Sequence, residues 1–230
     1  MPGRPGPNAG KKLVRHGWDL ASTFYRDDGT AADVFGHDSA VYREWLRPVM
    51  EGLPPGASVL DLGCGIGVPA TALLATRFEV TGVDLSEVQV ERAKRRVPRA
   101  TFVRADMTRV DFPAGAFRAV VCLYALIHVP LPQQRPLLAR IRRWLTRPGW
   151  LVVVTGHEAN EGTEENWLGS GATMYWSHAD ASTYRAWFEE LGFEVIDQTF
   201  VPEGASGHEL FRLRVPRDPI DRPRGRRSDR

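Results

Sequence analysis

VLDLGCGIG, residues Val59 to Gly67, is a short apolar run that ends in three glycines at alternate positions. An apolar run closed by turn signals reads as a buried strand. Glycines at Gly63, Gly65 and Gly67 let the backbone turn sharply and pass close to a ligand. The segment after them is small and helical, from Val68 to Thr76. Its N-terminus offers free N–H groups and the positive end of a helix dipole. A strand, a glycine turn and a helix in that order predict a ligand site at the carboxyl end of the strand. Asp61 stands at that rim, two residues before the first glycine.

Working outward, strand and helix patterns alternate. Phe78 to Val83 reads as a second strand and Ala100 to Arg104 as a third. Phe117 to Leu123 and Trp150 to Thr155 are continuous apolar strands. Between them lie Ser86 to Val97, with Ser86 as N-cap and Pro98 beyond the end, and Pro132 to Leu145. In the latter, Leu137, Leu138, Ile141 and Leu145 repeat at helical spacing. Uninterrupted Val/Leu strands suit a parallel sheet covered on both faces. The alternation therefore predicts a doubly wound α/β sheet. The end of the chain departs from it. Asp180 to Leu191 is a helix stopped by Gly192. Phe193 to Phe200 and Glu209 to Val215 then come as two strands across a loop holding Pro202, Gly204 and Gly207, a closing antiparallel hairpin.

Two more acids repeat the placement of Asp61. Asp84 ends the second strand, where a carboxylate can take both hydroxyls of a ribose, and Asp106 comes just after the third. The dinucleotide fingerprint G-x-G-x-x-G/A counted from Gly63 puts Val68 at its last position. An acid at Asp61 would also oppose a pyrophosphate. The pattern favours a nucleoside carrying an ammonium and no phosphate.

Val59 to Gly67, Thr81 to Ser86 (TGVDLS), Ala105-Asp106-Met107 and Trp144 to Trp150 (WLTRPGW) resemble the successive motifs of class I S-adenosylmethionine-dependent methyltransferases. The likeness runs over roughly residues 40 to 200 in order and spacing. It implies an α/β fold with a mostly parallel seven-stranded sheet whose last strand is antiparallel. It also implies S-adenosylmethionine as cofactor. Carried over, Asp61, Gly63 and Gly65 face the methionine portion, with Leu123 close by. Asp84 binds the ribose, Leu85 flanks the adenine, and Asp106 accepts from its amino group beside Met107. Cys64 in the glycine turn and Tyr25 upstream complete the expected cofactor-binding set. Trp150 stands where the family usually has a second glycine, far from the cofactor rim.

The acceptor is read from the residues after the fourth strand. Leu123-Tyr124-Ala125-Leu126 replaces the Asn/Asp-Pro-Pro-aromatic element of amino-directed DNA enzymes. Cys122 lacks the preceding proline of cytosine C5 enzymes. No acid stands between Phe117 and Pro130, against catechol-type metal sites, and no H-x-x-x-H pair occurs. No metal is expected. Methyl transfer is an in-line displacement that gains much from alignment. For a base, His128 and His157 are the candidates, with Tyr124 as orienter. Residues 17–50 hold Trp18, Phe24, Tyr25, Phe35, Tyr42 and Trp45 and are expected to form a helical lid. Residues 156–178, a connection of 23 residues with His157, Trp167, Met174, Tyr175, Trp176 and His178, are expected to form an acceptor loop. Aromatics with a few polar groups suit a small acceptor.

The 230 residues are 43% hydrophobic and 25% charged, ordinary for a globular domain and wrong for collagen-like, coiled-coil or disordered chains. The net charge of +2 misleads. Residues 1–16 carry four bases and no acid, residues 216–230 six Arg and three Asp, and both are expected to be disordered tails. The body holds 20 bases against 25 acids, which argues against a nucleic-acid footprint. No apolar run reaches membrane-span length, no secretory h-region opens the chain, and two cysteines make no disulfide framework. The expectation is a cytoplasmic enzyme methylating an oxygen or nitrogen of a small molecule, with no membrane partner. The rivals are an RNA modifier tethered by the Arg tail, a module that holds the cofactor without turnover, and a nicotinamide oxidoreductase.

Overall fold

The computed structural model describes residues 6–26 and 32–217. Its centre is a seven-stranded sheet built from β1 (Ser58–Leu62), β2 (Glu79–Asp84), β3 (Thr101–Arg104), β4 (Phe117–Cys122), β5 (Leu145–Gly156), β8 (Glu194–Glu203) and β9 (Ser206–Val215). The order across it is β3-β2-β1-β4-β5-β9-β8. β1 to β5 are parallel, and β9 runs antiparallel to β5 and to β8. The doubly wound, mostly parallel sheet with an antiparallel strand near the end of the chain is as expected.

Side-chain alternation explains why both faces are covered. Leu60, Leu62, Val120, Cys122, Leu151 and Val153 point to one face. Helices α6 (Leu131–Trp144) and α7 (Ala181–Glu190) seal it with Leu137, Ile141, Trp144, Tyr184 and Phe188. Val59, Ala119, Val121, Val152 and Val154 point to the other. There α2 (Ser39–Trp45), α3 (Arg47–Gly52) and α4 (Ala70–Leu74) bring Tyr42, Trp45, Leu46, Val49 and Leu74. Each fully buried Leu or Val contributes about 1.5–3 kcal/mol. α5 (Glu87–Arg96) starts at Ser86, whose hydroxyl accepts from Gln89 N, and covers β2 and β3. Chain order reverses between β1 and β4, and the crevice at their carboxyl ends is the natural ligand position.

Four expectations need correction. Residues 7–16, expected in a disordered tail, are the first half of α1 (Pro7–Tyr25). Pro7 starts the helix, and Gly10, Val14 and Gly17 are buried against the next feature. Residues 156–178 are not an irregular loop but contain a two-stranded hairpin, β6 (Asn160–Trp167) and β7 (Ala172–His178). Trp167, Met174 and Tyr175 pack it onto α1. Of the expected lid, α1 alone lies over the hairpin and α5, while α2 and α3 belong to the layer on the sheet. The hairpin of β8 and β9 is tight: Pro202 pairs with Gly207 and Glu203 with Ser206, so the strands run through the expected loop. Residues 1–5, 27–31 and 218–230, with most of the basic tail, lie outside the described residues.

Candidate active site

The glycine turn opens the site. Gly63, Gly65 and Gly67 have φ of 72°, 54° and 79°, where side chains are strained. Gly63 N donates to Val83 O at 2.7 Å, which ties the turn to β2. A Cβ on Gly63 would stand 2.1 Å from Ala125 Cβ, so the chain after β4 passes directly over the turn. Beside this contact lies a cavity of about 130 Å³. Its walls include Tyr25, Asp61, Gly63, Cys64, Gly65, Asp84, Leu85, Asp106, Met107 and Leu123, so the sequence-predicted binding set converges on one space.

The three acids differ in state. Asp61 is 2% exposed and accepts from Thr71 Oγ1 at 2.5 Å. Burial pushes its carboxyl up to about 7, with the Asp84 charge adding to it against the Thr71 bond. Asp84 accepts from Gly65 N and Ser86 N, each at 2.9 Å, yet burial still pushes it up to about 6. Burial also acts to raise Asp106. Hydrogen bonds from Lys11 and Thr108 and the Lys11 charge outweigh it, so Asp106 lies below the usual carboxylate range. Two adjacent carboxyls held near neutrality in a dry wall are a demand for a cation and for hydroxyl donors.

α1 roofs this cavity. Lys11 Nζ meets Asp106 Oδ2 at 2.8 Å and also donates to Thr108. In mid-helix, Ser86 Oγ donates to Asp19 at 2.6 Å. Near its end, Ser22 Oγ donates to Gln89 at 2.7 Å, and Arg92 donates to the carbonyls of Ser22 and Arg26.

A second, smaller cavity adjoins the first. Trp18, Tyr25, Phe35, Tyr124, Trp167 and Trp176 wall it, with Ile127, His128, Glu203 and His208. Trp18, Tyr25, Tyr124 and His128 line both cavities and form the seam between them. Tyr124 has φ of 56°. A tyrosine held there costs on the order of 1–3 kcal/mol and persists only where the surroundings fix it. Its hydroxyl is buried beside the Glu203 carboxylate, which accepts from it. Burial, then the Glu203 carboxylate, raises its pKa.

His128 sits in a 3-10 turn, Leu126–His128, clamped by Gln134, which donates to the carbonyls of Leu126, Val129 and Ser177. Its Nδ1 lies 2.8 Å from Tyr175 O. A carbonyl only accepts, so Nδ1 carries the proton and Nε2 keeps its lone pair. Burial pushes this imidazole down to about 4 against the Tyr175 bond. It is a fixed acceptor and, with so acidic a conjugate acid, a poor store for a proton. His157 is outside both cavities. Its Nδ1 pairs with Glu209 at 2.8 Å, its ring packs on Phe200 at 4.7 Å, and its side chain is 44% exposed. Its position right after the apolar run of β5 looked like a rim position, but the strand turns it toward the hairpin of β8 and β9.

Sequence reasoning missed Glu203 and His208, because Pro202, Gly204 and Gly207 read as loop breakers. Hairpin register was the available signal. Val201 pairs with His208, and Glu203 is two residues beyond Val201 on the same face. Cys64 and Cys122 are free and buried, as small core residues. Among the described residues no group of three or more His, Cys, Asp or Glu could hold a metal.

The site is thus an acid-lined crevice at the switch point of a doubly wound sheet, with an aromatic side chamber beside it. Residues 59–149 match the family model described as a methyltransferase domain. A sterol 24-C-methyltransferase of Gibberella zeae is 32% identical over 154 residues, covering 64% of this chain and 39% of that protein. A 2-methyl-6-phytyl-1,4-hydroquinone methyltransferase of a Synechocystis species is 36% identical over 109 residues, covering 46% and 33%. The chain thus spans under half the length of these relatives. A crystal structure of magnesium protoporphyrin IX methyltransferase from Synechocystis with bound S-adenosylhomocysteine superposes with a TM-score of 0.67 at 19% identity, covering 91% of this chain and all of that one. Residues 59–149 thus match a methyltransferase domain, and the fold is the one the protoporphyrin methyltransferase has.

Proposed function

We propose that this chain transfers the methyl group of S-adenosylmethionine to an oxygen or nitrogen of a small molecule held in the aromatic chamber. The observation that carries the reading is the junction: a cavity walled by Asp61, Asp84 and Asp106 meets an aromatic chamber at Tyr124 and His128. The donor set fits the cofactor. Asp61, raised by burial and lacking a cation, takes the ammonium. Asp84 accepts from the ribose hydroxyls with the lone pairs left by Gly65 and Ser86. Asp106 and Met107 flank the adenine, with Leu85 on its other side. Gly63, Cys64 and Gly65 let backbone approach the methionine portion, while Leu123 and Tyr25 close over it. When bound, the cofactor supplies a sulfonium methyl open to in-line displacement.

The chain's own residues then orient the acceptor. Trp18, Trp167 and Trp176 stack on it and exclude water. His128 Nε2 accepts a hydrogen bond from it. The names of the sterol and hydroquinone relatives support a small-molecule acceptor. No helix among the described residues is long and apolar enough to cross a membrane; the two free cysteines fit a cytoplasmic protein, and the acidic body speaks against a nucleic-acid partner.

Calorimetry with S-adenosylmethionine and S-adenosylhomocysteine tests this. The expected outcome is tight binding of both and none of NADH. Heat from NADH alone would overturn it.

A further inference from the structure

The methionine portion of the cofactor carries two opposite charges, and Asp61 answers only the ammonium. Arg26, the C-cap of α1, is a wall of the same cavity and is 3% exposed. Its backbone is fixed, since Arg92 donates to its carbonyl at 3.0 Å. Its guanidinium lies over the Tyr42 ring at 5.9 Å. Nη2 donates to His37 O at 3.3 Å and meets Asp33 Oδ2 at 3.4 Å. Asp33 is itself held on every side. Phe35 N and His37 N donate to its Oδ1, each at 3.0 Å, and the Tyr25 hydroxyl donates to its Oδ2 at 3.1 Å. Burial acts to raise Asp33, but the hydrogen bonds from His37 and the Arg26 charge outweigh it, so Asp33 lies below the usual carboxylate range. A guanidinium is thus kept charged in a dry wall by an ionised partner behind it.

Tyr42 ties this cation to Asp61. All three line the cavity. Burial raises the Tyr42 hydroxyl, and the charges of Asp33, Arg26 and Asp61 all act on it. One hydroxyl therefore stands within reach of a carboxyl from β1 and a guanidinium from α1. An α-amino acid bears its ammonium and carboxylate on one carbon, and an acid and a guanidinium around one point are its complement. The other cations of the wall are placed differently: Lys11 is held by Asp106, and Arg15 follows it by one helical turn on the exposed side. We propose that Arg26 takes the carboxylate of the cofactor's methionine portion, that Asp33 positions the guanidinium for it, and that the pair selects the intact amino acid against a decarboxylated cofactor. This rests on the methyltransferase reading above. A guanidinium carries five N–H donors in one plane, so it can serve Asp33 and a second carboxylate together. A ligand without the carboxylate brings its ammonium to a wall that already holds a cation, with no anion to part them.

The test is calorimetry at about pH 8, above the Asp61 midpoint, with two ligands. One is S-adenosylhomocysteine. The other is its decarboxylated form, S-adenosyl-3-thiopropylamine, which keeps the nucleoside, the sulphur and the ammonium. Wild type should bind the first about 10- to 100-fold more tightly, the span of a hydrogen-bonded charge pair. R26Q should lose that preference by weakening the first ligand while holding the second within about threefold, and R26K should regain part of it. R26Q leaves Asp33 buried without its cation, which threatens folding. The double variant R26Q/D33N removes both charges and should show the same flat ratio, with thermal melts to certify the fold. D33N alone should narrow the ratio with the second ligand unmoved, a ligand-specific change that a merely structural role would not produce. Equal affinity of wild type for the two ligands overturns the proposal, and so does a wild-type ratio in R26Q/D33N. A flat ratio with both ligands bound leaves the methyltransferase reading standing, whereas failure of both to bind wild type overturns the two together.

Discussion

Asp61 shows at the scale of one residue how a site is kept ready at the expense of the fold. Its raised pKa means that the folded protein holds a proton there which the unfolded chain has lost. Stability from this group is complete below the ordinary carboxylate range and fades as pH rises through about 7. Asp61→Asn removes that dependence. The variant should therefore melt above wild type by a margin that widens from pH 5 to pH 7 and levels off beyond, as scanning calorimetry would read. A constant margin would mean that Asp61 is ionised throughout. Cofactor affinity moves the other way. The ammonium selects the ionised form, so wild-type binding should weaken below about pH 7, and binding at pH 6 should release a proton, seen as a buffer-dependent heat. Asp61→Asn should bind at least about 10-fold more weakly, as loss of a buried charge partner predicts. This residue was legible in the sequence because its spacing to Gly63 is local. Glu203 and His208 were not, since their meeting depends on hairpin register.

At the scale of the element, α1 was the least legible part. Gly10 and Gly17 looked like flexibility in a Pro/Gly-rich end. They are two helical turns apart on one face, and each lets α1 press on β7. A Cβ on Gly10 would fall 2.7 Å from the Tyr175 ring, which is 1% exposed and has no room to move. On Gly17 the nearest atom is the flexible end of the buried Met174, at 2.9 Å, with the Thr173 carbonyl next at 3.3 Å. Gly10→Ala should thus destabilise in spite of the better helix propensity of alanine, by about 1–2 kcal/mol net. In a domain of this size that is a drop of roughly 2–8 °C in Tm. Gly17→Ala should cost less, since a flexible Met174 end yields more readily than the Tyr175 ring, and equal losses for the two would refute the close-packing account. The Lys11 contact with Asp106 holds the other side of the roof. Lys11→Ala breaks an ion pair whose side chains are only 16% and 18% exposed. Cofactor entry and exit should both quicken about fivefold, with Kd changed less than either rate, in stopped-flow Trp fluorescence. The strands and sheet helices, by contrast, were readable throughout, because burial on both faces writes itself as unbroken Val/Leu runs.

Across the whole molecule, two cavities built by different parts of the chain meet at four side chains. The ends of β1, β2 and β3 bring the acids to the first, while the β6–β7 hairpin and the turn of β8 and β9 bring Trp167, Trp176, Glu203 and His208 to the second. The architecture thus separates holding the cofactor from choosing the acceptor. Asp84 lines only the first cavity and Trp176 only the second. Asp84→Asn should weaken S-adenosylhomocysteine binding by about 10-fold or more, through loss of charge-assisted hydrogen bonds. Trp176→Ala should leave that affinity within about threefold and slow methyl transfer to the acceptor by about 10-fold, as stripping an aromatic wall does. Trp176 also packs at 4.5 Å on His128, which belongs to the seam. The double variant should therefore show additive losses in cofactor binding, since the two sites share no direct contact. A coupling larger than about 1 kcal/mol would mean that the seam transmits occupancy from one cavity to the other, and the separation of roles would fail.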